Sequence, residues 1–149
     1  MKLDEIQLKQ KAGVIPYFIQ EDGTPVMMFM APSNARFGGS LFQIAKGTIE
    51  PGEDIQEAAV REAEEELGLR IENITQVKSV GNTKITGLDE TYMLAIFVAE
   101  VKDPENFGQP HYETGKRAWF TLEEFKAQGR QNQQLLIKQA HDTIWQTTN

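Results

Sequence analysis

The run Gly47–Leu69, GTIEPGEDIQEAAVREAEEELGL, constrains this chain more than any other stretch. Glu62, Glu65 and Glu66 recur at offsets of three and four. On a helix such residues share one face, with Cβ atoms about 5–6 Å apart. Three carboxylates that close repel one another unless a cation sits among them. Clustered hard oxygen donors suit Mg²⁺ or Mn²⁺, and such ions commonly act on phosphates. Asp54 is placed to cap the helix, with Glu57 three residues on as a capping-box partner. Ile55, Ala58, Ala59, Ala63 and Leu67 follow at helical spacing and predict an inward face. The small alanines allow close approach to a sheet, and Gly68 is placed as the C-cap.

A chain of 149 residues, 40% hydrophobic and 25% charged, is read as one globular domain with a real core. The absence of Cys excludes a disulfide scaffold, Cys-ligated zinc and thiol catalysis. The segment MKLDEIQLKQKAG has no apolar signal-like core, and no apolar run is long enough to span a bilayer. The expected location is cytoplasmic. A net charge of −7 disfavours non-specific binding to nucleic acid. It also requires bridging cations if the substrate is anionic.

Lys11–Ile19 and Val26–Met30 read as a hairpin around Glu21-Asp22-Gly23, with Pro16 marking an edge or a bulge. A short strand is expected at Leu41–Ala45, and loops at 31–40, 81–90 and 104–115. Further strands are expected at Ile71–Val80, Tyr92–Val101 and Arg117–Phe120, the second of these buried on both faces. Thr121, with Glu124 at capping-box offset, starts a helix. A last helix is expected from about Gln133 to Trp145, with Leu136, Ile137, Ala140 and Ile144 on one stripe. The interleaving predicts an α/β fold, a mixed sheet covered on both faces. The apolar N-terminal strands leave a homodimer open.

Gly47, Glu53 and the run Arg61-Glu62-Ala63-Glu64-Glu65-Glu66-Leu67-Gly68-Leu69 together resemble the Nudix box, G-x5-E-x7-R-E-U-x-E-E-x-G-U with U aliphatic. Every fixed position matches, and Ala63 stands where a larger aliphatic is usual. The resemblance implies the Nudix α/β/α sandwich and hydrolysis of a nucleoside diphosphate linked to another group, with Mg²⁺ or Mn²⁺ as cofactor. By that resemblance Glu62, Glu65 and Glu66 bind the metal, aided by a backbone carbonyl near Lys46 and Gly47. Glu53 ligates through water or orients the set, and Arg61 pairs with Glu53. Two such ions about 3.5–4 Å apart clamp adjacent phosphate oxygens and lower the pKa of a bound water, which attacks phosphorus in line. Gly47 and Gly52 are expected to permit the tight loops that present the acids.

Outside the box, Glu113 lies six residues before Trp119 in HYETGKRAWF. Dinucleoside polyphosphate hydrolases of the family are similar here, which implies a further metal ligand or the base for water. Its alternative is a solvated loop acid, and Glu90 and Glu100, the latter at the end of a strand, are lesser rivals for the same role. Lys46 and Arg36 are candidate phosphate contacts. Phe37, Phe42, Tyr17 and Tyr92 can stack on a base, but core packing is the stronger expectation. Trp119 and Trp145 are expected in the core. His111 and His141 fit no zinc spacing.

AKGTIEPGE resembles the PKG-x-x-E-x-GE start of dinucleoside polyphosphate hydrolases, with Ala45 in place of Pro. The proline typical of ADP-ribose hydrolases is missing around Lys84–Thr86, and no SQPWPFP-like array follows. Three readings remain. One is a pyrophosphohydrolase on a dinucleoside polyphosphate or related nucleotide. Another is a hydrolase of (d)NTPs or RNA 5′ ends. The third is a catalytically silent domain that senses nucleotides.

Overall fold

A computed structural model describes residues 8–33, 41–87, 90–111 and 114–148. Its strands are β1 (Lys9–Ile19), β2 (Pro25–Pro32), β3 (Lys46–Thr48), β4 (Ile74–Thr86), β5 (Thr91–Val101) and β6 (Thr114–Phe120). Its α-helices are α1 (Ile55–Leu67), α2 (Leu122–Gln128) and α3 (Gln134–Thr148). The six strands form one sheet in the order β4-β5-β1-β2-β6, with β3 paired to β1 beside that path. β1 and β5 run parallel, and the remaining pairs are antiparallel. Alternation along the strands divides the core in two. Ala12, Val14, Met28 and Met30 face Ala58, Ala59, Ala63 and Leu67 of α1. Ile15, Tyr17, Met27 and Phe29 face Phe125 of α2 and Leu136, Ile137, Ala140 and Ile144 of α3. The result is the α/β/α sandwich with a mixed sheet.

Most of the expected caps are present. The Asp54 carboxylate accepts the N–H groups of Gln56 and Glu57, and Gly68 closes α1 in the left-handed region at φ 76°. Thr121 and Glu124 exchange the two bonds of a capping box. The α1 alanines are fully buried, but Ile55, the first residue of the helix, is exposed.

Several expectations are corrected. Pro16 is neither at a sheet edge nor at a bulge: β1 has β5 along one side, with Pro16 opposite Ala99. On the other side β3 covers Lys11–Gly13 and β2 covers Tyr17–Ile19. Pro16 falls in the gap between them, where a missing N–H costs no ladder bond. Residues 41–45 form no strand. Phe42 donates its N–H to the Gln128 carbonyl, while Gln43 and Met30 exchange backbone bonds, so this segment is held by α2 and β2 as isolated bridges. Residues 71–73 form a single 3₁₀ turn before β4, and β4 continues through the expected loop to Thr86, with a register shift between Ser79 and Gly81. β5 has the expected buried, interior position. Trp119 is half-buried, edge-on to Phe18 and Phe107, whereas Trp145 is 48% exposed on the outer side of α3, stacked on His141. No helix among the described residues is long and apolar enough to cross a membrane.

Candidate active site

β3 and α1 bring the box acids together. A turn through Gly52, at φ 79°, carries the chain from β3 to the α1 N-cap. Gly47 is not in the left-handed region. Its role is close approach: a Cβ there would overlap the carboxylate of Glu62. The bare α-carbon of β3 is thus the floor on which that carboxylate rests. Only 13% of the Glu62 side chain is exposed. Burial, reinforced by Glu65, pushes its carboxyl pKa up against the downward pull of Arg61.

Arg61 is the internal counter-ion. Its Nε and Nη2 donate to the two oxygens of Glu53 at 2.7 and 2.9 Å. Nη1 donates to Glu62 at 3.0 Å and to Glu65 at 3.4 Å, and Nη2 reaches the Thr48 carbonyl at 3.2 Å. The fork holds the Glu53 carboxyl below its ordinary pKa, and Glu53 also accepts the Glu50 N–H. The pairing of Arg61 with Glu53 matches the sequence expectation. Glu65 is half-exposed, Glu66 half-buried, and Glu64 points to solvent, away from Glu62.

Among the described residues no three acidic or histidine side chains converge as a ready cage for a cation. The Arg61 guanidinium bridges Glu62 and Glu65. The donor set nonetheless fits a hard divalent ion. All its members are oxygens, they stand on one rigid helix, and Glu62 is seated on a glycine.

The C-terminal end of α1 is gripped by the segment before and within β6. The N–H of His111 donates to the Glu65 carbonyl at 2.6 Å, and the Thr114 hydroxyl donates to the Glu66 carbonyl at 2.8 Å. Arg117 Nη1 donates to the carbonyls of Leu67 and Gly108, both at 2.6 Å, and the Gly108 N–H donates to the Gly68 carbonyl. The carbonyls of Glu65, Glu66, Leu67 and the Gly68 cap are thereby satisfied from the loop before β6 and from β6 itself. Glu113, Arg36 and Phe37 lie outside the described residues. Sequence reasoning missed Arg117 and Thr114, because backbone carbonyls leave no trace in residue types. Arg117→Met is expected to destabilise the protein by about 3 kcal/mol, the order of two charge-assisted bonds less their replacement by water. Urea titration at fixed pH checks it, and an unchanged midpoint would contradict the clamp.

Other candidates sort themselves by position. Lys46 donates to the side chain of Gln43 at 3.1 Å. Burial, with Arg130 and Lys11 nearby, pushes its ammonium pKa down to about 8. Glu90 pairs with Lys11 at 2.6 Å. Glu100 lies at the far end of β5 from Tyr92, bonded to the Thr75 hydroxyl. Tyr17 and Tyr92 are buried in the core and Phe42 packs against it, as expected.

The profile described as NUDIX domain matches residues 9–140. The chain belongs to the Nudix hydrolase family. It is 41% identical over 71 residues to the nucleoside triphosphatase NudI of Enterobacter sp. (strain 638). That match covers 48% of this chain and 48% of the relative, so it spans about half the relative's length. The fold is also that of an Ap4A hydrolase from C. elegans, solved as a binary complex, with TM-score 0.75 and 19% identity over 92% of this chain and 98% of the other. It is likewise that of the NUDIX domain of Shewanella oneidensis NrtR complexed with ADP ribose, with TM-score 0.73 and 13% identity over 97% and 94%.

Proposed function

We propose that this protein hydrolyses a phosphoanhydride bond in a nucleotide with the help of a divalent cation, Mg²⁺ or Mn²⁺, and that a dinucleoside polyphosphate or a related nucleotide is its substrate. The observation that carries this reading is the Glu62 carboxylate seated on the bare α-carbon of Gly47, with Glu65 and Glu66 on the same helix. Glu62, Glu65 and Glu66 would hold the ion, with a carbonyl near Lys46 and Gly47. When bound, it neutralises phosphate charge and lowers the pKa of water.

The chain's own groups do the rest. Arg61 keeps its two-pronged hold on Glu53, so that Glu53 stays ionised and orients the set. A cation held by Glu62 and Glu65 would compete only with the Nη1 contacts of Arg61 to those two residues, not with its hold on Glu53. The loop anchors at His111 and Thr114 fix α1 against β6. They support Glu113, which lies between them in sequence, as the candidate base for the attacking water.

A second reading, hydrolysis of nucleoside triphosphates, is favoured by the partial match to a nucleoside triphosphatase. Incubation with Mg²⁺ and a nucleotide panel, followed by chromatography of the products, separates the two. Cleavage of dinucleoside polyphosphates ahead of triphosphates is expected. Release of pyrophosphate from dNTPs as the faster reaction would favour the second reading, and no product from any nucleotide would leave a sensor.

Cation binding is also readable without turnover. Because burial raises the Glu62 pKa above its unfolded value of about 4.5, its ionised form destabilises the metal-free fold at neutral pH. That penalty fades as pH falls through the raised folded value. Metal-free Glu62→Gln is therefore expected to melt above the wild type at pH 7, with the gap shrinking toward pH 4.5. Added Mg²⁺ should raise the melting temperature of the wild type and not of the variant. An equal response of both would remove Glu62 from the cation site.

A further inference from the structure

Asn73 ends the 3₁₀ turn between α1 and β4, and only 1% of its surface meets water. A buried carboxamide costs stability unless its polar atoms are paired. Here the side-chain partners all come from residues 102–111, which follow β5. Nδ2 donates to the Asp103 carbonyl at 2.8 Å and to the Asn106 carbonyl at 3.0 Å. Oδ1 accepts the Asp103 N–H at 3.0 Å, and the Asn73 carbonyl accepts the Lys102 N–H at 2.9 Å. An apolar residue could fill this space, but it would leave those backbone groups without their partner.

Residues 102–111 contain neither helix nor strand, so these bonds, and not a sheet ladder, set their path. The Pro104 carbonyl also accepts the Trp119 Nε1–H at 3.3 Å, and the Phe107 ring stands edge-on to Trp119. From Asn73 the segment runs as a strap antiparallel to the exit of α1. Its contacts pass from Asn73 with Asp103, through Gly68 with Gly108 at 2.7 Å, to Glu65 with His111 at 2.6 Å. Carbonyls in the last turn of a helix have no partner within it, so the ends of helices fray unless they are held from outside. Glu62 has the seat on Gly47 to hold it. Glu65 and Glu66 stand on that last turn, and the Glu65 carbonyl is closed by the strap.

We infer that Asn73 is a positioning residue for the cation site: it latches the strap, and the strap fixes the last turn of α1, so that Glu65 and Glu66 keep their places relative to Glu62. Asn73 touches neither substrate nor cation. It acts through the backbone, at the end of the strap opposite the acids. The inference rests on the proposed hydrolase reading for its effect on the cation, but not for its effect on the end of the helix.

The test reads the two effects separately. In the metal-free protein, Asn73→Ala should speed hydrogen exchange at the Gly108 and His111 amides by about tenfold beyond any change in β5. The Mg²⁺ concentration giving half of the melting-temperature rise should increase by about tenfold, the usual order for losing a group that orients metal ligands. In turnover the same increase in Mg²⁺ requirement is expected, with kcat at saturating Mg²⁺ and KM for the nucleotide changing less than about twofold. Ile144→Ala is the control. It thins the core on the other side of the sheet, and should lower stability while leaving the Mg²⁺ requirement as in wild type. Where Asn73→Ala proves unfolded by circular dichroism, Trp119→Phe decides. It keeps a ring against Phe18 and Phe107 and removes only the bond to Pro104, so both effects should appear at about threefold. Unchanged exchange at Gly108 and His111, or a Mg²⁺ requirement that rises equally in Ile144→Ala, would overturn the inference. Absence of both turnover and a Mg²⁺ response in the wild type would remove the hydrolase reading, while faster exchange at the two amides would still assign the hold on α1 to Asn73.

Discussion

Glu65→Gln and Glu66→Gln are each expected to lower turnover by about 10³-fold, while the melting temperature of the metal-free protein stays within a few degrees of wild type. The magnitude follows from losing one anionic oxygen ligand, where a bound cation supplies several kcal/mol of transition-state stabilisation and about 4 kcal/mol corresponds to 10³-fold. The stability side follows from the site's electrostatics. Glu65 is half-exposed and its contact with Arg61 is long, at 3.4 Å, so removing its charge forfeits about 0–0.5 kcal/mol of attraction. Relief of repulsion from Glu62 works in the opposite direction. Single-turnover assays over a range of Mg²⁺ concentrations, beside a thermal melt, check both halves. Near-normal turnover by both variants would dismantle the proposed cation site.

Gly47→Ala should be nearly as damaging, by about 10²-fold in kcat, with the fold retained. The substitution adds one methyl group to a backbone that is not in the left-handed region, so conformational strain is not the cause. The cause is the Glu62 carboxylate, which occupies the place that the methyl would take. Either that side chain or β3 must shift, and displacement of a catalytic group by about 1 Å is enough for a loss of this size. A Gly52→Ala control separates the two roles of glycine. No atom lies within 4 Å of a Cβ at Gly52, but φ there is 79°, so that variant should lose about 1 kcal/mol of stability through backbone strain and keep most of its turnover. If Gly47→Ala retained full activity, Glu62 would not be held where β3 places it.

The contrast between these two glycines shows how far residue types alone reach. Both were expected as loop formers, and for Gly52 that is correct. The requirement at Gly47 arises from Glu62, fifteen residues on in the following helix, and spacing carries no sign of how closely the two approach. Local signals were otherwise legible. Asp54, Gly68 and the Thr121–Glu124 pair act within a single helical turn, so their residue types suffice to place them. The Glu53–Arg61 pair was legible through the family pattern.

Misreadings fell where a neighbouring element overruled local preference. Residues 41–45 look like a strand but are held by α2 and β2 instead. Pro16 looks like an edge residue but sits opposite a handover between two partners of β1. Trp145 has the composition of a core residue, yet α3 turns it outward.

By itself, the sequence determined the family, the helix that carries Glu62, Glu65 and Glu66, and the oxygen chemistry they offer, because periodicity and residue type are short-range properties. Only the tertiary structure decided that Glu62 rests on Gly47, that Arg117 and Thr114 hold the end of α1, and that Lys11 and Lys46 both stand over the Tyr92 ring. Each of these depends on separate strands and helices being packed side by side. The chain's order does not encode such distances; burial of the two faces of the sheet does.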